Sequence, residues 1–377
     1  MHAHGGPAET GPAKQERAEE DLKRWAVTVR AGHAWAGSTY RRGGYGVTMA
    51  AEDTERLRQI FVRDFGQPRR TLLHGQSYGA GVAAKGAELY SAPAGARGPY
   101  DGVLLTSGVL GGGGVAYDFR LDLRVVYQFV CNNHPRPDEA AYPLWQGLPP
   151  DSKLTRAELA ARVDDCTGVR KPATQRSEQQ KARLATIVNV VKIPEPSLVS
   201  HLTQGTWLFR DLVQLRLGGR NPFDNSSVRY QGSPGDAALN ARVLRYTADP
   251  QAVAQLAQDS APTGKVGMPV LTFHAANDPT AFVELESVYR EVFERAGTAS
   301  RLVQVFSDES EHSYLGEPQY PALFKALLEW IDQGTRPTPH RVLALCRDYE
   351  ASYAKGCRIQ PDWRSPPLHT RVAPRRP

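Results

Sequence analysis

Thr71-Leu72-Leu73-His74-Gly75-Gln76-Ser77-Tyr78-Gly79-Ala80-Gly81 is an apolar run that meets a Gly-x-Ser-x-Gly turn and continues into the small residues Val82-Ala83-Ala84. Strand, sharp turn and helix in that order form a nucleophile elbow, with Ser77 at the tip. Such a turn strains the serine backbone and crowds strand against helix, so the positions two before and two after it tolerate almost no side chain. Gly75 and Gly79 meet that demand. In a chain with 34 glycines the pentapeptide alone is weak, and its strand-to-helix setting carries the reading.

Upstream, Lys14 to Arg30 has the periodicity of an amphipathic helix, Gly32 to Tyr40 that of a strand, Ala51 to Phe65 that of a second helix, and Arg70 to Gly75 that of the strand entering the turn. Downstream, Tyr100 to Thr106 is another buried strand. Alternation of this kind marks a parallel sheet. The pattern then breaks at the Gly-rich exit Gly108 to Gly114, read as a hinge because it lacks the spacing of a nucleotide loop. Helices are expected over 117–130, 155–163, 178–191 and 198–217. The sheet resumes at Lys265 to His274, followed by a helix from Ala281 to Ala296, a strand from Ser300 to Phe306 and a closing helix from Gln319 to Gln333. The Pro- and Arg-rich segment after Gly334 is expected to be extended over the surface or partly disordered.

A serine hydroxyl needs a base within hydrogen-bond reach, itself oriented by a carboxylate. In a sheet of this kind the three come in the order serine, acid, histidine, each on a loop after a strand. Ser77, Asp278 and His312 supply that order, with one helix and one strand between the last two. Asp278 before Pro279 also fits an ordinary helix cap, and His312 among acids a solvated loop residue. Asp308 is a rival acid on the histidine's own loop. His74 and His274, inside apolar strands, read as packed residues.

On these residues the chain resembles the α/β-hydrolase fold family, on both sides of a central insertion. The resemblance implies a doubly wound, mostly parallel sheet with a large helical lid between the sixth and seventh strands. Core segments would fall at 1–112 and 263–340, the lid at 113–262 and a tail at 341–377. Phe119, Tyr127, Phe129, Trp145, Trp207, Phe209 and Phe223 would be lid core or would line an acyl pocket. Met1-His2-Ala3-His4-Gly5-Gly6-Pro7 has no basic flank or apolar core of a signal peptide. It reads either as a flexible terminus or as the loop after the third strand, which would imply further strands upstream. The second reading makes the backbone N–H of Tyr78 and that of Gly5 or Gly6 the oxyanion donors.

The implied chemistry is acyl transfer to water from a small-molecule ester, needing no metal or organic cofactor. A peptidase or amidase, an acyltransferase and a silent binding protein are the alternatives. The net charge of +6 is scattered among 40 acidic residues without basic patches interleaved with aromatics, which disfavours nucleic acid as a partner. No apolar run has the length of a membrane span. Cys131, Cys166, Cys346 and Cys357 lack metal-site spacing; they fit two disulfides, 131 with 166 and 346 with 357, or four reduced thiols. Pairing would favour a periplasmic or secreted protein over a cytoplasmic one.

Overall fold

The computed structural model describes residues 1–6, 15–92, 96–313, 315–353 and 356–375; Pro7, Lys14 and the last two residues of the expected tail lie outside them. Among the described residues six strands run in the order β1 (His2–Ala3), β2 (Gly37–Ser38), β3 (Leu72–Gln76), β4 (Gly102–Thr106), β5 (Val270–Ala275) and β6 (Leu302–Ser307). The helices are α1 (Gln15–Arg24), α2 (Ala26–Arg30), α3 (Val47–Phe65), α4 (Tyr78–Leu89), α5 (Gly112–Cys131), α6 (Arg156–Thr167), α7 (Glu178–Val191), α8 (Leu198–Thr203), α9 (Asp236–Arg242), α10 (Pro250–Ser260), α11 (Leu285–Arg295), α12 (Gln319–Gln333) and α13 (Pro339–Tyr349). The chain divides into two compact units, Met1–Gly112 with Asp259–Pro367 and Gly113–Gln258 with Leu368–Pro377.

The first unit is built on one sheet in the order β2-β1-β3-β4-β5-β6, every neighbouring pair parallel. Its longer strands, β3 to β6, are buried along nearly their whole length, as in a sheet covered on both faces. Leu104, Leu271, Phe273, Val303 and Val305 form one buried layer with Trp25, Val27 and the inner face of α12, where Tyr320, Leu323, Phe324 and Leu327 recur at helical spacing. Strand alternation turns Thr272 and His274 to the opposite face, towards α11. The N-terminus of α3 is closed by a distant residue: Val47 N and Thr48 N each donate to the Asp259 carboxylate at 3.0 Å.

Several expectations are corrected. The strand expected from Gly32 to Tyr40 is only the pair Gly37–Ser38, since Gly32 at φ +83° and Tyr40 at φ +61° turn the backbone at both ends. Gly112 to Gly114, the end of the expected hinge, form the first turn of α5, and the division between the two units falls there. The span 198–217 is helical as expected but not uniformly α: Leu198–Thr203 and residues 209–210 are α-helical, and Gln204–Leu208 and Asp211–Arg216 are π-helical turns. The expected extended tail instead holds α13, whose Val342, Leu345 and Cys346 are buried in the sheet's core layer. Cys346 is bonded to Cys357, and Ile359 bridges antiparallel to Ser307 of β6, so the segment to Pro367 belongs to the first unit.

In the second unit Cys131 at the end of α5 is bonded to Cys166 of α6. Phe119, Tyr127, Phe209 and Phe223 are buried, Phe209 stacking on Phe223 at 4.1 Å, while Phe129, Trp145 and Trp207 are half-buried. Arg375 ties the last described residues into this unit through Asp122 (2.9 Å) and Asp118 (3.2 Å). Among the described residues no helix is long and apolar enough to cross a membrane.

Candidate active site

The site lies within the first unit, at the C-terminal ends of β3, β5 and β6. Ser77 sits between β3 and α4 at φ 59°, ψ −123°, a backbone conformation few non-glycine residues adopt. Both flanking glycines are sterically required. A Cβ on Gly75 would lie 2.0 Å from Gly79 O, and one on Gly79 would lie 2.1 Å from Ala3 O and 2.5 Å from His4 O. The end of β1 therefore rests directly on the start of α4. The turn is further held by Ser77 N donating to Thr106 O at 3.0 Å and Val109 N donating to Ser77 O at 3.2 Å.

Asp278 follows β5, and its two carboxylate oxygens divide the work. Oδ1 accepts from Thr280 N (2.8 Å) and Ala281 N (3.0 Å), which folds the turn after the strand. Oδ2 faces His312 Nδ1 at 2.8 Å and His274 Nε2 at 3.1 Å. His312, on the loop after β6, presents Nε2 to Ser77 Oγ at 2.7 Å. The Asp278 side chain is fully buried and that of His312 is 18% exposed, so the acid is shielded and the base reachable. Burial alone would raise the Asp278 carboxyl. The charge on His312 and the hydrogen bonds from His274 and His312 outweigh it and hold the group well below the usual carboxylate range.

Other groups hold the histidine loop. Gln76 Nε2 donates to Ser313 Oγ (3.1 Å) and His312 O (3.4 Å), tying the loop to the residue before the serine. Glu309 accepts from Ser307 Oγ, Gly316 N and Gln319 Nε2 at 2.7, 2.6 and 2.9 Å, closing the loop around one buried carboxylate. The rival acid Asp308 is instead paired with Arg358 at 2.5 Å, and the carboxylate at His312 Nδ1 is that of Asp278.

Tyr78 is the first residue of α4, and its hydroxyl accepts from Gly46 N at 3.0 Å. Gly5 lies against the elbow: a Cβ there would be 2.5 Å from Gln76 Oε1. Gly5 O accepts from Arg17 Nη2 at 2.7 Å, and His4 O accepts from Tyr40 OH at 2.9 Å. Gly6 follows at φ +74°.

Sequence reasoning missed Gln76, Glu309 and, above all, the surroundings of His274. That side chain is buried as expected, but its neighbours are two carboxylates: Nε2 meets Asp278, and Nδ1 meets Glu286 Oε1 at 3.2 Å. An amphipathic helix with a glutamate in its first turn was the only signal for Glu286, and it normally means a solvated face.

The parallel sheet, with a strand–Ser77–helix turn at its centre, is the arrangement of the α/β-hydrolase fold. No family model matches the chain, and no curated protein matches it. Among solved structures it is similar to feruloyl esterase B from Aspergillus oryzae, at 15% identity and TM-score 0.44 over 89% of this chain and 76% of that one. The rice cell wall degrading esterase LipA from Xanthomonas oryzae is similar at 14% identity and TM-score 0.35, over 81% of this chain and 76% of that one. At identities and TM-scores this low the likeness carries no argument about activity.

Proposed function

We propose that the protein is a serine hydrolase that cleaves carboxylic esters, with Ser77 as nucleophile, His312 as general base and Asp278 as orienting acid. One observation carries the reading: a serine at positive φ on an elbow lies 2.7 Å from His312 Nε2, whose other ring nitrogen lies 2.8 Å from a buried carboxylate. His312 takes the Ser77 proton as Oγ attacks the ester carbonyl, then returns it to the departing alcohol. Water activated by the same histidine releases the acid from the acyl-enzyme. The oxyanion would be met by the backbone N–H of Tyr78 and one from Gly5 or Gly6, a donor pair in which each member typically contributes about 2.7–4 kcal/mol to the transition state. By its place in the chain, the helical insertion between β4 and β5 is the proposed lid. Two disulfides favour an oxidising compartment.

The test is hydrolysis of p-nitrophenyl esters of graded chain length by wild type and Ser77→Ala, with fluorophosphonate labelling of both. Loss of turnover by about 10⁴-fold or more, together with loss of label, is expected for folded Ser77→Ala. Folded wild type that neither turns over any ester nor takes the label overturns the reading.

A further inference from the structure

The acid of the proposed triad is one end of a longer buried chain. His274 Nε2 lies 3.1 Å from Asp278 Oδ2 and 3.0 Å from Ala281 O, and Nδ1 lies 3.2 Å from Glu286 Oε1. Every one of these partners is an acceptor in its ordinary ionised or carbonyl form. A neutral imidazole has only one N–H, so one of its nitrogens would present a lone pair to an oxygen in a place no water reaches. Both the His274 and Glu286 side chains are fully buried. Glu286 is itself fixed from two strands, since Thr272 Oγ1 and Gln304 Nε2 both donate to its Oε2, at 2.7 and 2.6 Å.

We propose that His274 and Glu286 are positioning residues for the reaction: Glu286 clamps a doubly protonated His274, which fixes the Asp278 carboxylate and shares its charge with His312. The proposal rests on the serine-hydrolase reading and extends it one residue beyond the acid at each step. Burial by itself would lower the His274 imidazole, but the hydrogen bonds to Asp278 and Glu286 raise it to about 10. The charged groups facing it are Asp278 from the turn after its own strand and Glu286 from α11, with His312 beyond Asp278. Gln304 of β6 and Thr272 of β5, on the far side of Glu286, are neutral. Tyr289, one turn along α11, is held in its neutral form by burial first and then by the charges of Glu88 of α4 and Glu286.

Glu286→Gln separates charge from shape. The donors Thr272 and Gln304 select the amide oxygen for the Oε2 place, which leaves the amide NH₂ facing His274 Nδ1. His274 must then accept there and becomes neutral, while its Nε2–H still reaches Asp278. Asp278 no longer shares its charge and holds the His312 proton more tightly. The acidic limb of kcat/KM for p-nitrophenyl ester hydrolysis is therefore expected to move to higher pH by about half a unit or more, with KM within about twofold. Glu286→Asp, which keeps the charge, is expected to return the limb towards the wild-type position. A purely structural role would lower the amount of active protein without moving the limb.

Histidine ¹⁵N NMR provides a readout independent of turnover. Wild type at about pH 8 should show one buried imidazole protonated on both nitrogens, absent from Glu286→Gln. A neutral His274 in wild type at that pH overturns the proposal, as does an unmoved acidic limb in folded Glu286→Gln. If Glu286→Gln does not fold, the wild-type spectrum and the Glu286→Asp profile decide. Should wild type neither hydrolyse esters nor take a fluorophosphonate, the hydrolase reading fails by itself, and the spectrum still reports whether the charged clamp exists.

Discussion

His74 and His274 stand inside two parallel strands of one sheet, both buried, on opposite faces. On β3, His74 Nδ1 meets the Nδ1 of His2 at 3.0 Å, Trp25 packs edge-on at 4.2 Å, and Nε2 has no hydrogen-bond partner among the described residues. Burial pushes that imidazole down to about 3. On β5, His274 lies between two carboxylates and is pushed up to about 10 against the same desolvation. Burial penalises the charged form in both places, and the partners decide which form survives. One histidine therefore behaves as an aromatic core residue, and the other as the cation between two acids.

The largest expected difference is in the response to the same substitution. His274→Phe leaves Asp278 and Glu286 buried without their shared partner and should cost about 3–5 kcal/mol of stability. His74→Phe joins an aromatic layer that already holds Trp25 and Phe324. It leaves one nitrogen of His2 unpaired, a loss of about 1–2 kcal/mol. Urea unfolding of both variants at neutral pH reads the difference; equal losses would break the comparison.

Next in size is the pH dependence of stability, where the two histidines act in opposite directions. His74 has a depressed folded value, so its contribution is complete above 6.5 and is lost as pH falls towards about 3. His274 has a raised folded value, so its contribution is complete below 6.5 and is lost as pH rises through about 10. Each can tilt the stability curve by up to about 1.4 kcal/mol per pH unit. His74→Phe should flatten the acid side and Glu286→Gln the alkaline side, measured by denaturant unfolding across pH. A Glu286→Gln curve with the wild-type alkaline slope would mean that His274 carries no proton for Glu286 to hold.

A smaller effect sharpens the contrast along β3 itself. Gln76 shares a strand face with His74, two residues further on, and tethers the His312 loop. Gln76→Met keeps the volume and removes the tether, so kcat should fall about tenfold with KM nearly unchanged. Wild-type kcat in that variant would show that Glu309 alone is enough to hold the loop.

The two histidines also mark where reading the sequence stops. Gly75, Ser77 and Gly79 were legible because the elbow's sterics act between residues two apart, and Ser77, Asp278 and His312 because each follows its own strand. The same local logic misled at His274. In an apolar strand a histidine reads as packed, and nothing local reveals that Glu286, twelve residues on, turns its carboxylate inward from the first turn of α11. β1 and β2, two residues each, are held as strands by their neighbours in the sheet and carry no periodicity of their own. The helix α13 was hidden by composition: proline and arginine dominate the tail, while Val342, Leu345 and Cys346 at helical spacing sit within its first residues.

Asp308 provides the smallest expected change and the sharpest test of which carboxylate serves His312. From sequence it was a reasonable rival, an acid on the histidine's own loop only four residues away. The structure gives it a different partner: its carboxylate meets Arg358 Nε at 2.5 Å with both side chains about half exposed, and its backbone N–H donates to Arg358 O at 3.1 Å. An exposed pair of this kind is worth about 0–1 kcal/mol, and the backbone bond survives loss of the charge. Asp308→Asn should therefore keep ester hydrolysis within about twofold of wild type and stability within about 0.5 kcal/mol. A loss of about a hundredfold would transfer the orienting role from Asp278 to Asp308. It would also remove the reason for a charged His274, since the carboxylate it clamps would no longer be the one that serves the base.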